Sequence, residues 1–111
     1  MQTYVMQTRL VPEAFRFPRS LEEHERRVMA RIRADCPSVR WVQSFVVLGP
    51  CDYLDVFEAP DNETATRVSA IVRTFGHAST EIWPATPWER FREIVRELPA
   101  EADWHAVTVG A

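Results

Sequence analysis

Two rhythms of apolar residues run along this chain, one with a period near two and one with a period near 3.6, and they alternate. Residues 2–10, QTYVMQTRL, alternate in part and are rich in β-formers, so they predict a first strand. A loop holding Pro12 and Pro18 follows, and Ser20-Leu21-Glu22-Glu23 has the form of a capping box, in which the serine hydroxyl accepts the Glu23 amide and the Glu23 carboxylate reaches back. Leu21, Val28 and Ile32 then recur at helical spacing with Met29 beside them, His24 falls on the same face as a packing residue, and Pro37 closes the helix near Ala34 or Asp35. Residues 39–48 predict strand two, Gly49-Pro50 a turn, and residues 52–58 strand three, antiparallel to strand two. Asp61 is placed to cap a second helix, with Glu63 in its first turn and Ala65, Val68, Val72 and Phe75 on one face. Gly76 suits a left-handed helix end, and residues 77–83 predict strand four. Thr86-Pro87-Trp88-Glu89 reads as a second capping box. It opens a helix with Trp88, Phe91, Val95 and Leu98 as its stripe, ended by Pro99. Residues 104–110 suit a short fifth strand or an arm on a partner subunit. The expected division is a domain over residues 1–98 and a tail over 99–111.

The resulting order predicts an α+β fold, a ferredoxin-like βαββαβ unit with a four-stranded antiparallel sheet and an added C-terminal helix. Two helices on one side leave the other face of the sheet bare. Strand two nonetheless carries apolar residues on both parities, Val42 and Val46 on one and Trp41, Phe45 and Val47 on the other. A sheet apolar on both faces must bury both, which points to a second copy of the chain as the cover and to a dimeric α+β barrel. The space inside such a barrel suits a small ligand.

Composition narrows the function classes. A chain of 111 residues suits one domain, and 46% hydrophobic content is ordinary for a globular protein. A net charge of −3 disfavours nucleic acid as a partner. The basic clusters, Arg26-Arg27 to Arg33 and Arg90 to Arg96, are diluted by glutamate and read as solvated helix faces. No signal peptide and no apolar run of membrane-spanning length is visible, so the expected compartment is the cytoplasm, where a disulfide between Cys36 and Cys51 is not expected. The histidines and cysteines show no metal-ligand spacing, no glycine loop cradles a phosphate, and no cofactor is expected.

The hairpin Leu48-Gly49-Pro50-Cys51-Asp52 and the helix start Glu58-Ala59-Pro60-Asp61 resemble the GYD domain family, whose motif is Gly-x-Tyr-Asp at this turn. Thr3-Tyr4-Val5 and Ser79-Thr80-Glu81-Ile82-Trp83-Pro84-Ala85 also fit, and the resemblance covers about residues 3–95. Cys51 stands where the family has its tyrosine, with Tyr53 two residues later. The hairpin is also similar to the effector-binding domain of the leucine-responsive/AsnC regulators, but no helix-turn-helix precedes strand one here. The resemblance implies the fold and dimerisation and says little of activity.

Strand three carries the candidate chemistry. Cys51, Tyr53, Asp55 and Phe57 share one face, and Asp52, Leu54, Val56 and Glu58 the other. Leu54 and Val56 suit the helix-covered core, which would turn Tyr53, Asp55 and Phe57 toward the cavity between sheets. A carboxylate there is costly unless paired or functional, so Asp55 is the leading acid. Asp52 suits a turn-capping role. His77, at the mouth of strand four, is a candidate base or ligand donor, His105 is uninformative, and Cys51, though near a turn, has no local cation to activate it. The expected pocket walls are Tyr4, Met6, Val42, Tyr53, Phe57, His77 and Trp83, with Asp55 as polar anchor. A one-residue slip in register would exchange the faces. Three functions compete. One is a homodimeric domain that binds a small apolar or aromatic molecule. The second is a cofactor-independent monooxygenase, isomerase or cyclase, with Asp55 or His77 as base and Tyr53 as proton donor. The third is a regulatory or structural partner protein docking through the segment from Trp88 to Trp104.

Overall fold

A computed structural model of the protein describes residues 1–12 and 18–99. Four strands, β1 (Gln2–Leu10), β2 (Arg40–Val46), β3 (Tyr53–Ala59) and β4 (Ala78–Ala85), alternate with three helices, α1 (Pro18–Asp35), α2 (Asn62–Phe75) and α3 (Trp88–Glu97). All strand pairs are antiparallel, in the order β2-β3-β1-β4. This is the ferredoxin-like arrangement with a C-terminal helix, as the alternation of periods predicts.

The pairing of β1 with β3 decides which face is the core. Tyr4 lies opposite Phe57 and Met6 opposite Asp55. The Tyr4 and Phe57 rings stack with centroids 5.6 Å apart, and Trp41 of β2 stacks on the other side of Phe57 at 5.3 Å. Tyr4, Met6 and Phe57 are buried with Val28 and Ile32 of α1 and Ala65, Val68, Ile71 and Val72 of α2. Each large side chain removed from water in this layer contributes about 1.5–3 kcal/mol. The Tyr4 hydroxyl is paired with the side-chain amides of Gln2 and Asn62 at 2.6 Å, so the ring is buried without stranding its polar end.

The expected facing of strand three is therefore reversed. Tyr53, Asp55 and Phe57 point under the helices, while Leu54 and Val56 lie on the open face with Val5, Phe45 and Trp83. The aromatic stack outweighs the preference for aliphatic residues in the core: two rings meet across β1 and β3 only when the odd positions of β3 turn inward.

Helix boundaries follow local chemistry, with three departures. Asp61 caps α2, accepting from the Thr64 amide at 2.8 Å. Helix α1 begins at Pro18, ahead of Ser20, so the first capping box does not form; proline is favoured at a helix start because it has no N–H to leave unpaired. Pro87 caps α3 without a side-chain bond, so the second box is absent too. Gly76 is not left-handed; its φ is −88°, and His77 takes the positive φ of 48° instead. Glycine is needed at 76 for space, since a Cβ there would stand 2.3 Å from the Val72 carbonyl oxygen.

The arginine clusters are solvated as expected. Arg27 pairs with Glu23 at 2.9 Å and Arg90 with Glu93 at 2.9 Å, on exposed helix faces where such pairs add little. Helix α3 has no buried residue, and its stripe of Trp88, Phe91, Val95 and Leu98 is exposed. The expected strand or arm over 104–110, with Trp104 and His105, lies outside the described residues.

The exchange of roles between positions 76 and 77 gives substitutions of opposite sign. Gly76→Ala lowers unfolding free energy by more than about 1 kcal/mol through the clash. His77→Gly leaves stability unchanged or raises it by up to about 1 kcal/mol, as relief of left-handed strain offsets added chain entropy. Urea unfolding of both variants checks this, and a clear loss on His77→Gly contradicts the assigned geometry.

Candidate functional site

Asp55 enters the interior because of the β1–β3 register, and a bulge in β2 supplies its surroundings. Pairing shifts between Trp41 and Gln43, leaving Val42 as the extra residue and turning both Trp41 and Ser44 to the helix side. The Trp41 indole N–H donates to the Ser44 hydroxyl at 2.7 Å, and both groups lie against the Asp55 carboxylate, directly across from Ser44. From the other side α1 brings Glu25. His24, one residue earlier, places its Nε2 2.8 Å from the Gly76 carbonyl oxygen; because a carbonyl only accepts, Nε2 carries the proton. That bond ties α1 to the end of α2 and fixes the turn of α1 that holds Glu25.

Between these elements lies a gap of about 30 Å³, bounded by Met6, Thr8, Glu25, Trp41, Tyr53 and Asp55 among others. Outside it runs a groove of about 280 Å³ along Leu21, Ser44, Phe45 and Val46, and the two spaces share Glu25, Tyr53 and Asp55. Asp55 is 5% exposed. Thr8 is 3% exposed, and its hydroxyl has no hydrogen-bond partner among the described residues. Neither Glu25 nor Asp55 forms an ion pair among those residues.

Burial governs the electrostatics. Loss of water raises the Asp55 carboxyl above its ordinary value, opposed by the hydrogen bonds of Ser44 and Trp41. Glu25 is raised first by burial and then by the negative charge of Asp55. Tyr53 is raised by burial and by Glu25, Asp52 and Asp55 in turn. Two raised carboxyls sharing one small space hold protons more tightly than free acids do, or accept a cation.

Of the eight residues the sequence offered for the site, Met6, Tyr53 and Asp55 line this space, which lies between the sheet and α1 rather than between two sheets. Tyr4 and Phe57 are core residues stacked on each other and line neither the gap nor the groove. Val42 is an exposed bulge residue, Trp83 is on the open face, and His77 is exposed just past α2 and does not line the gap, although its neighbours Gly76 and Ala78 do. Asp52 accepts from the Leu10 amide of β1 at 2.7 Å instead of from turn amides. Cys51 is buried, not exposed, beneath the turn. Burial and Asp35 push the Cys36 thiol up, and both cysteines are free.

Glu25, Thr8, Trp41 and Ser44 were not anticipated as site residues. Glu25 had a signal: it stands four after Leu21 and three before Val28, a carboxylate inside the apolar stripe of α1. Trp41 and Ser44 had none, since a bulge that aligns residues three apart is not visible in a period of two. Among the described residues no three His, Cys, Asp or Glu side chains are grouped to hold a metal ion.

The architecture is that of the ferredoxin-like α+β class, with its polar cluster buried between sheet and first helix. The family model of the GYD domain matches residues 4–95, and the chain belongs to that family. No curated protein matches it.

The raised Asp55 carboxyl makes stability pH-dependent in a defined sense. A folded value above the ordinary 3.8 means the folded state binds the proton more tightly. Its unfavourable contribution is absent in acid below 3.8 and grows as pH rises through the folded value. Asp61, lowered by the Thr64 hydroxyl and amide, works in the opposite sense, so the comparison must be with a variant. Asp55→Asn is expected to be more stable than the parent at neutral pH, with the difference closing on acidification toward 3.8. Thermal unfolding across that range measures it; a variant less stable than the parent at pH 7 and equal to it in acid contradicts the burial-dominated site.

Proposed function

We propose that this protein is a small-molecule-binding domain, with the ligand seated between α1 and the sheet against Tyr53, Asp55 and Glu25, and that it works as a homodimer. The observation that carries the reading is an incompletely paired polar interior: among the described residues, a hydroxyl without a hydrogen-bond partner and two carboxyls without an ion pair border one gap. Interior polar groups are ordinarily paired, and those left open cluster where something else binds. The groove outside adds apolar wall from Leu21, Phe45 and Val46, which suits the apolar or aromatic part of a ligand. Support for the dimer comes from Val5, Phe45, Leu54, Val56 and Trp83, which form an apolar open face on a sheet covered by helices on one side only; Phe45 is 46% exposed and Trp83 43%. The exposed stripe of α3 gives a second copy further apolar surface to cover. A cytoplasmic location accords with the two free cysteines, and no helix among the described residues is long and apolar enough to cross a membrane.

A second reading, a cofactor-independent enzyme, is favoured by one observation. Asp55 and Glu25 are raised carboxyls beside the Tyr53 hydroxyl, the arrangement a general acid–base needs. In that reading Asp55 or Glu25 is the base; His77 is exposed and does not line the gap.

Two measurements test the first reading. In a two-dimensional NMR screen of small apolar and aromatic compounds, hits are expected to move the Trp41 indole, Tyr53 and Met6 signals. Hits confined to other surfaces, or none, contradict the site. In sedimentation equilibrium the protein is expected to be dimeric, and Leu54→Arg to be monomeric with unchanged far-ultraviolet circular dichroism. A monomeric parent at tens of micromolar contradicts the dimer.

A further inference from the structure

The gap beneath α1 is lined by three acceptor groups, and the one basic side chain on it among the described residues is His24, whose Nε2 is held by the Gly76 carbonyl oxygen. Asp55, Glu25 and the Thr8 hydroxyl all border it, and Thr8 is 3% exposed with its oxygen unpaired. Among the described residues no arginine lines the gap or the groove outside it. Glu22, also on the groove, already pairs with Arg26 at 3.7 Å on the surface, so it is not part of the inner set. Asp55 is buried with hydrogen bonds from Ser44 and Trp41 but no ion pair among the described residues, and half-buried Glu25 adds a second like charge beside it, which is costly.

We propose that this space binds a primary organic ammonium, with its three N–H donors taken by Asp55, Glu25 and the Thr8 hydroxyl, and its apolar or aromatic body along Leu21, Phe45 and Val46. This rests on the small-molecule reading above and names the ligand class.

The chemistry selects that class on three counts. A primary ammonium has three donors and no acceptor, and Asp55, Glu25 and Thr8 supply three acceptor groups along the walls of one gap. The gap of about 30 Å³ holds a group the size of a water molecule, which fits an –NH3⁺ head and excludes a trimethylammonium. The gap and the groove of about 280 Å³ share Glu25, Tyr53 and Asp55 as walls, so a head in the one and a body along the other lie against the same three residues. An anionic ligand would face two carboxylates with no arginine among the described residues to offset them, and a neutral alcohol would bring no charge to balance theirs.

Binding is also tied to pH. The titratable groups facing Asp55 are Glu25 and His24 from α1 and Tyr53 on its own strand; β1, β2, α2 and β4 present Thr8, Trp41, Val72 and Ala78, none of which titrates. The cation needs the carboxyls ionised, so affinity falls on acidification as they take up protons.

The test uses four probes of one shape at pH 7, followed by NMR shift mapping and calorimetry: 2-phenylethylammonium, 2-phenylethanol, 3-phenylpropionate and phenethyltrimethylammonium. The primary ammonium is expected to bind at least about tenfold tighter than each of the others, moving the Trp41 and Tyr53 signals. Asp55→Asn and Glu25→Gln each weaken it by about tenfold or more, and Thr8→Val by a smaller factor, with the circular dichroism of the parent retained. Phenylethanol or phenylpropionate binding the same residues as tightly would overturn the ammonium assignment while leaving a small-molecule site in place. No probe moving those residues would overturn both. Calcium or magnesium displacing the ammonium at equal concentration would reassign the site to an inorganic cation and overturn the proposal. Should Asp55→Asn fail to fold, Glu25→Gln and Thr8→Val carry the same comparison.

Discussion

The stacking of Tyr4 on Phe57 across β1 and β3 sets the register on which the rest of the molecule depends. With those rings inward, every second residue of both strands faces the helices, and the intervening residues face away. Trp41 extends the stack from β2, so three adjacent strands are locked to one facing by aromatic contact. A slip of one residue would expose Phe57 and bury Glu58 beneath α2, losing about 1.5–3 kcal/mol of ring burial and adding a desolvated charge.

That same register carries Asp55 inside, two residues before Phe57. The sheet accommodates it with a bulge: by spending one extra residue at Val42, β2 turns the Trp41 indole and the Ser44 hydroxyl onto the carboxylate. The accommodation is partial. Glu25 arrives from α1 with a second carboxyl, and the Thr8 hydroxyl has no hydrogen-bond partner among the described residues. Packing and polarity thus conflict at one spot in an otherwise well-satisfied interior. Such conflicts persist where function compensates for their cost.

The fold was legible because its signals are local. Alternation in residues 2–10, the Gly49-Pro50 turn, and Asp61 ahead of an apolar stripe each specify an element without knowledge of its neighbours. The hairpin and the Glu58-Ala59-Pro60-Asp61 helix start carried the family as well. The site was half legible. Asp55 and Tyr53 stood out as polar groups on a buried strand, and Met6 followed from strand parity, but their direction did not. Both parities of β3 are largely apolar, so periodicity alone leaves the inward face open, and the choice falls to a ring contact between residues 53 positions apart in the chain, Tyr4 and Phe57. Gly76 and His77 show the same limit on a small scale, since a close carbonyl, not a left-handed backbone, explains the glycine.

Among the described residues two apolar surfaces stay exposed once the core is complete, the open face of the sheet and the stripe of α3, and Phe45 of the open face also lines the groove that borders Glu25 and Asp55. The proposed dimer face and the proposed ligand site therefore adjoin at Phe45, and the register of the strands places both. The central claim is that Asp55 and Glu25 share a desolvated space under α1. Carbon-13 NMR titration of their side-chain carboxyls tests it most directly. Both are expected to titrate above their ordinary values of 3.8 and 4.5, with Asp55→Asn moving Glu25 back down. Ordinary titration of both groups, or a Glu25 indifferent to Asp55→Asn, would contradict it.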